Sequence, residues 1–270
     1  MMLIKESSST KTIWTNLGLV TFGSQTGYMS NIHTETFKVR TAEINPLKQM
    51  HPHAMIQLMQ EASMQHTIRA GVSVWDMETI HASWVLLRME VRFYHFPELN
   101  ETIRVETYPC GMEGYFTYRD YKMYGIDGRL YAEIASQWTL MNTDERRMMR
   151  IPETFRNLIH HVDKISKPDF KIYAPIPPFS EHQTMVNYFQ LDWNGHINNV
   201  HLIRMVMETL PTDFHKHYTL KKLQLQFRHE AFVDLPLTIR TSDTSGAIKQ
   251  HSISTSDTQQ EILLALSEWT

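Results

Sequence analysis

The sequence predicts an α+β protein built from two tandem units, each a curved antiparallel sheet around one central helix. Three observations carry this. Apolar residues recur with helical period in two separate stretches, each stretch is followed by alternating segments divided by turns, and the second block repeats the first. The 270 residues are 42% apolar and 20% charged, with ten Gly and eleven Pro. Such a chain is ordinary globular protein, long enough for one large core or two small ones.

Residues 1–31 mix Ser, Thr and Gly with short apolar runs and are expected to be a loosely ordered leader. Its run Leu17–Phe22 is too short to span a bilayer, and the segment lacks the features of a secretory signal, so a cytoplasmic location away from membranes is expected. The first unit is placed at 32–160. Thr34–Ile44 reads as a strand, and Pro52 opens a helix in which Met55, Leu58, Met59 and Ala62 share one side, with Gly71 as its stop. Trp84–Phe93 alternates Leu87, Met89, Val91 and Phe93 against Arg88, Glu90 and Arg92, and Thr102–Thr107, Tyr115–Tyr124 and Leu130–Met141 continue the meander. A short helix is expected at Glu153–His161, then a Pro-rich linker at 161–180.

The second unit, 181–270, restarts the pattern. Gln183–Leu191 reads as a strand, Val200–Leu210 as a helix stopped by Pro211, and Leu223–Phe227, Leu237–Thr241, Ile248–Ser254 and Glu261–Trp269 as strands. A shift of 136 positions lays Thr102-Ile103-Arg104 on Thr238-Ile239-Arg240 and yields seven identities without a gap between Leu87 and Arg104. A strand, a long helix and a meander per copy is the hotdog layout, so the chain is expected to be a double hotdog whose sheets meet edge to edge.

Several chemistries are excluded. One cysteine, Cys110, cannot form a disulfide framework or a Cys-based zinc cluster. His51-Pro-His53 and His160-His161 lack metal-ligand spacing, and there is no phosphate loop, Gly-x-Ser-x-Gly elbow or basic aromatic-interleaved stretch, so no metal and no nucleic acid are expected. The informative segment is Leu191-Asp-Trp-Asn-Gly-His-Ile-Asn-Asn199, between a predicted strand and a predicted helix. Asn194-Gly195 makes a turn and Asn198 or Asn199 can cap the helix. Asp192 and His196 exceed what a turn needs, because a carboxylate near an imidazole fixes its tautomer.

Asp192-Trp-Asn194-Gly-His196-Ile-Asn198-Asn199 resembles the Asp-x-Asn-x-His-x-Asn-Asn signature of the acyl-acyl carrier protein thioesterases. Arg228-His-Glu230 resembles that family's Arg-Arg-Glu-Cys segment, with Glu230 on the acidic position and Ala231 where plant members carry cysteine. The resemblance runs from about Thr34 to the carboxyl end. It implies hydrolysis of acyl-acyl carrier protein to free fatty acid, with no cofactor, and Ala231 disfavours a thiol nucleophile. The site it implies is Asp192, Asn194, His196 and Glu230: Glu230 as general base on water, Asp192 orienting His196, Asn194 and His196 holding substrate or water, and backbone N–H groups at the start of the Val200 helix facing the oxyanion. Strict alternation sets Glu230 on the polar face of its strand, so either a β-bulge near His229 turns it inward or that face lines the site.

In the same register Tyr94 stands opposite Glu230 and no first-unit residue matches His196. The first unit is therefore expected to hold the acyl chain, with Met55, Met59, Ala62, Met64 and Trp84 as candidate lining residues. Arg146, Arg147, Lys221 and Lys222 are basic clusters that either steer an acidic carrier protein or form a solvated rim. A homodimer is possible. The rival readings are a hotdog acting on coenzyme A thioesters and a non-catalytic acyl-binding sensor.

Overall fold

The computed structural model of the protein describes residues 10–15, 18–23, 31–168, 170–177, 179–243 and 246–270. Strands β1 (Thr10–Thr15) and β2 (Gly18–Gly23) pair as a separate antiparallel hairpin. The loose leader expected at 1–31 therefore includes local regular structure, and most of its other residues lie outside the described ones.

The first unit contains β3 (His33–Lys38), α1 (Pro52–Arg69), α2 (Val74–Glu78), β4 (Ala82–Phe93), β5 (Thr102–Glu113), β6 (Phe116–Gly125), β7 (Leu130–Asn142) and β8 (Arg147–Met149). The second contains β9 (Ser180–Met185), α3 (Asn199–Glu208), α4 (Thr212–His217), β10 (Leu220–Phe227), β11 (Pro236–Asp243), β12 (Ile248–Thr255) and β13 (Glu261–Trp269). One large antiparallel sheet runs β3-β5-β6-β7-β4-β10-β13-β12-β11-β9, with β8 beside β7. Each half repeats the other in mirrored order, and β4 pairs with β10 through Val91–Leu223, Met89–Leu225 and their neighbours. This is the double-hotdog arrangement that the sequence predicts.

Helix α1 starts at Pro52, whose missing N–H costs nothing in the first turn, and ends before Gly71 at φ +67°, a conformation glycine adopts without a Cβ penalty. Helix α3 starts under Asn198, whose Oδ1 accepts the Val200 N–H at 2.8 Å. Met55, Met59 and Ala62 of α1 and Ile203 and Val206 of α3 are fully buried in one core with Met89, Leu223 and Leu225 of the central strands.

The hydrogen bonds correct the repeat register. Tyr94 and His95 both direct their N–H to Tyr131 O, as Arg228 and His229 do to Ile262 O. Met50 N–H meets Pro97 O, and Ile197 N–H meets Ala231 O. These matches set a shift of 134 positions, laying Phe93 on Phe227 and Phe96, rather than Tyr94, on Glu230. An error of two residues preserves which face each strand side chain occupies, so the pattern looks correct in either register.

Candidate active site

The segment before α3 folds on Asp192. Its Oδ1 accepts the N–H of Asn194 at 2.9 Å and of His196 at 3.3 Å, while its own N–H meets His196 O at 2.8 Å. Gly195 takes φ +75° at the turn. His196 then pairs as a β-bridge with Phe232, whose ring meets the imidazole edge-on at 4.7 Å. Asp192 thus shapes the loop through backbone groups, and its carboxylate is not the partner of the His196 ring, contrary to the expected orienting role.

The ring's partners are Asn194, with Nδ2 3.2 Å from His196 Nδ1, and Glu230, with Oε1 3.4 Å from the same nitrogen. Glu230 arrives there because β10 ends at Phe227 and two successive N–H groups, from Arg228 and His229, share the Ile262 carbonyl. Two residues facing one is the pattern of a bulge, which frees Glu230 from the strand's alternation. Its Oε2 accepts a hydrogen bond from the Arg146 guanidinium.

Arg146 belongs to the first unit. It sits in the turn between β7 and β8 at φ +55°, an unfavourable region for a residue with a Cβ, held by its N–H on Asn142 O. The sequence left it either to carrier docking or to a solvated rim, and the structure pairs it with Glu230. The Arg146-Arg147 doublet looks like any exposed basic turn, so composition carried no signal of this. Arg147 is exposed on β8 beside it. Lys222 is tied to Glu90 at 3.6 Å and Glu268 at 3.4 Å. Lys221 lies six residues, roughly 20 Å, from the Phe227 end of β10, so the lysine pair and the arginines do not form one surface at the site.

Asp192, Asn194, His196, Glu230 and Arg146 all line a cavity of about 640 Å³ that continues into the first unit between α1 and its sheet. Met64 and Trp84 line it as expected. Met55, Met59 and Ala62 do not, because that stripe of α1 packs into the core. The cavity face of α1 is the neighbouring stripe Gln57, Gln60, Glu61, Met64 and Thr67, also at helical spacing but mostly polar, which is why a search for apolar lining passed over it. Most of the loop's amides are engaged within the protein: the N–H groups of Asn194, Gly195, His196, Ile197, Asn198 and Val200 all have partners there, and Asn199, the first residue of α3, lines the cavity.

Cys110 is buried under Tyr108 and Tyr118 in the first unit, and burial pushes its thiol up to about 12, away from nucleophilic use.

The model of the acyl-ACP thioesterase N-terminal domain matches residues 30–159, and that of the C-terminal domain matches residues 173–270. Oleoyl-acyl carrier protein thioesterase 1, chloroplastic, of Arabidopsis thaliana is 26% identical over 247 residues, 84% of this chain and 68% of that protein. Dodecanoyl-[acyl-carrier-protein] hydrolase, chloroplastic, of Cinnamomum camphora is 25% identical over 265 residues, 88% of this chain and 67% of that protein. This chain therefore spans about two thirds of the length of these curated relatives. Among solved structures, the 12:0-ACP thioesterase from Umbellularia californica superposes with a TM-score of 0.79 at 22% identity, covering 90% of this chain and 99% of that one. An acyl-ACP thioesterase from Bacteroides thetaiotaomicron gives 0.80 at 16% identity, covering 89% and 98%. Two domain models matched in order, over the same two units that the sheet displays, lead to one conclusion: the chain belongs to the acyl-ACP thioesterase family.

Proposed function

We propose that this protein hydrolyses the thioester of acyl-acyl carrier protein and releases free fatty acid, with the second unit supplying catalysis and the first unit the acyl cavity. The observation that supports this best is the meeting of Glu230, His196 and Asn194 at the wall of a cavity that runs under α1.

Asn194 donates to His196 Nδ1, which fixes the tautomer with its proton on Nε2. That Nε2–H is a donor for the thioester oxygen as it becomes an oxyanion. Glu230 Oε1, at 3.4 Å from Nδ1, is beyond the usual N–H···O range and is free to take the proton of the attacking water. Arg146 holds the other oxygen and so fixes the carboxylate's direction. The tetrahedral intermediate collapses with loss of the carrier's thiolate, a good leaving group, which takes up the proton that Glu230 removed from water.

Glu230→Gln and His196→Ala are each expected to cost about 10²–10⁴ in turnover of acyl-carrier-protein substrate. Near-normal rates in both would overturn the assignment. Comparing one acyl chain on carrier protein and on coenzyme A separates the two carriers. Carrier docking is assigned to the exposed Arg147, the neighbour in sequence of the cavity-lining Arg146: Arg147→Glu should raise KM for the carrier-protein substrate and spare a short coenzyme A thioester.

A further inference from the structure

Arg119, on β6, faces the cavity from the first unit's sheet. It is half-buried and lines the cavity, and among the described residues no acidic side chain pairs with it. Its Nη1 donates to His66 Nδ1 at 3.1 Å and to Thr107 Oγ1 at 3.2 Å. Neither neutralises the charge. His66 is pushed down to about 3, first by burial and then by Arg119 itself, and so stays uncharged. Two residues along the same face, the Tyr121 hydroxyl is fully buried with no hydrogen-bond partner among the described residues.

The second unit shows what this position normally contains. Arg119 pairs with Pro109 and Ser136, and Lys249 pairs with Asp243 and Ser267, at matching places in the two sheets. Trp138 Nε1 donates to Ser136 Oγ at 2.8 Å, and Trp269 Nε1 donates to Ser267 Oγ at the same distance. Lys249 is also a buried cation, but its ammonium donates to Asp243 Oδ1 at 2.5 Å and Gly246 O at 2.8 Å, and Phe214 of α4 lies over it at 5.0 Å. His251, the counterpart of Tyr121, is hydrogen-bonded on both ring nitrogens, to Thr241 and Ser267. In the cavity unit, Pro109 stands where Asp243 stands in the other, and no acid replaces it.

We propose that Arg119 is a polar subsite of the acyl cavity that takes chains carrying an oxygen function remote from the thioester, a hydroxyl or a carboxylate. The subsite lies three strands from β10, roughly 14 Å, so it meets the chain well beyond the reacting carbonyl. An alkyl chain laid against the guanidinium displaces water from a charge that has no acidic partner, which is costly, whereas an oxygen at that depth accepts further hydrogen bonds from it. The inference rests on the hydrolase reading for its substrate and on geometry for its location.

The test uses carrier-protein thioesters of one chain length, saturated or bearing a hydroxyl or terminal carboxylate at successive positions. The wild-type protein should favour an oxygenated chain at one depth by at least tenfold in kcat/KM. Arg119→Met should abolish that preference and Arg119→Lys should retain part of it. The corresponding free acids, titrated into Glu230→Gln protein by calorimetry, read the same preference without turnover. If the wild type hydrolyses no thioester, the hydrolase reading fails while the binding titration still judges Arg119. A wild type that favours the saturated chain at every position, or an unchanged ratio in Arg119→Met, overturns the subsite.

Discussion

The loop before α1 and the loop before α3 are built on the same hydrogen bonds, and only one of them carries the Asp-x-Asn-x-His motif. Asn45 Oδ1 accepts the N–H of Leu47 at 2.9 Å and of Gln49 at 3.2 Å, just as Asp192 accepts those of Asn194 and His196. Asn45 N–H meets Gln49 O, Ile44 bridges Met50, and Lys48 takes φ +64° where the second loop has Gly195. Gln49 thus stands where His196 does, Leu47 where Asn194 does, and Phe96 where Glu230 does. The scaffold was kept in both copies while the reactive groups remain in one. Conversely, the space beside the sheet is open in the first unit and filled in the second, where Phe214 packs on Trp269 at 5.0 Å. The lesson is that the Asp192 turn is a loop-building device, separable from the groups it presents.

Exchanging counterpart residues is the sharpest way to break that comparison. His196→Gln installs the residue that the first loop already tolerates, so activity should fall about 100-fold or more while the melting temperature stays near wild type. A large loss of stability would show that the loops are not interchangeable. Next in size, Met59→Ala should destabilise by about 2–5 kcal/mol in urea unfolding, because it empties a filled core site. Met64→Ala, one turn along but facing the cavity, should cost less stability and change chain-length preference instead.

Acid should act through buried histidines of both units. Burial lowers His251 to about 3 from its ordinary 6.5, so the unfolded chain takes up the proton first as pH falls. Its contribution is intact above about pH 6.5 and declines below it, by about 1.4 kcal/mol per pH unit, until the folded group itself titrates. His53 and His66 in the first unit shift in the same direction. His251→Gln should flatten the dependence of unfolding free energy on pH between 6.5 and 4, and an unchanged slope would remove the assignment. The smallest effect is expected of Asp192→Asn, which copies Asn45. Turnover should change no more than about threefold, and a loss as large as that of His196→Gln would restore a chemical role to the carboxylate.

Much of the fold was legible because periodicity survives translation into structure. The α1 stripe, the Met89–Phe93 alternation and the breaks at Gly71 and Pro211 each report a local choice that tertiary packing did not reverse, whereas a register shift between Leu86 and Arg88 takes Leu87 out of the expected apolar face. Helices α2 and α4, five and six residues long, were too short to show a period. Of the site, the motif residues were legible through a family resemblance rather than through chemistry alone. Arg146 and Arg119 were missed for different reasons. Arg146 reaches Glu230 from 84 residues away through a turn that no local pattern marks. Arg119 did leave a trace: in Thr117-Tyr-Arg-Asp-Tyr121 it shares a strand face with Thr117 and Tyr121, an inward cation that alternation alone could have flagged.

Backbone pairing between β4 and β10 makes the two units parts of a single sheet, with residues 161–179 as the covalent link between them. Cutting that link should therefore leave one particle rather than two. Prepared separately, each half presents β4 or β10 as an open edge whose apolar face is uncovered, a template for pairing with its own copy or for aggregation. Mixed before they self-associate, the halves should reassemble by strand addition, so the active site, drawn from both, works as a reporter of fragment complementation.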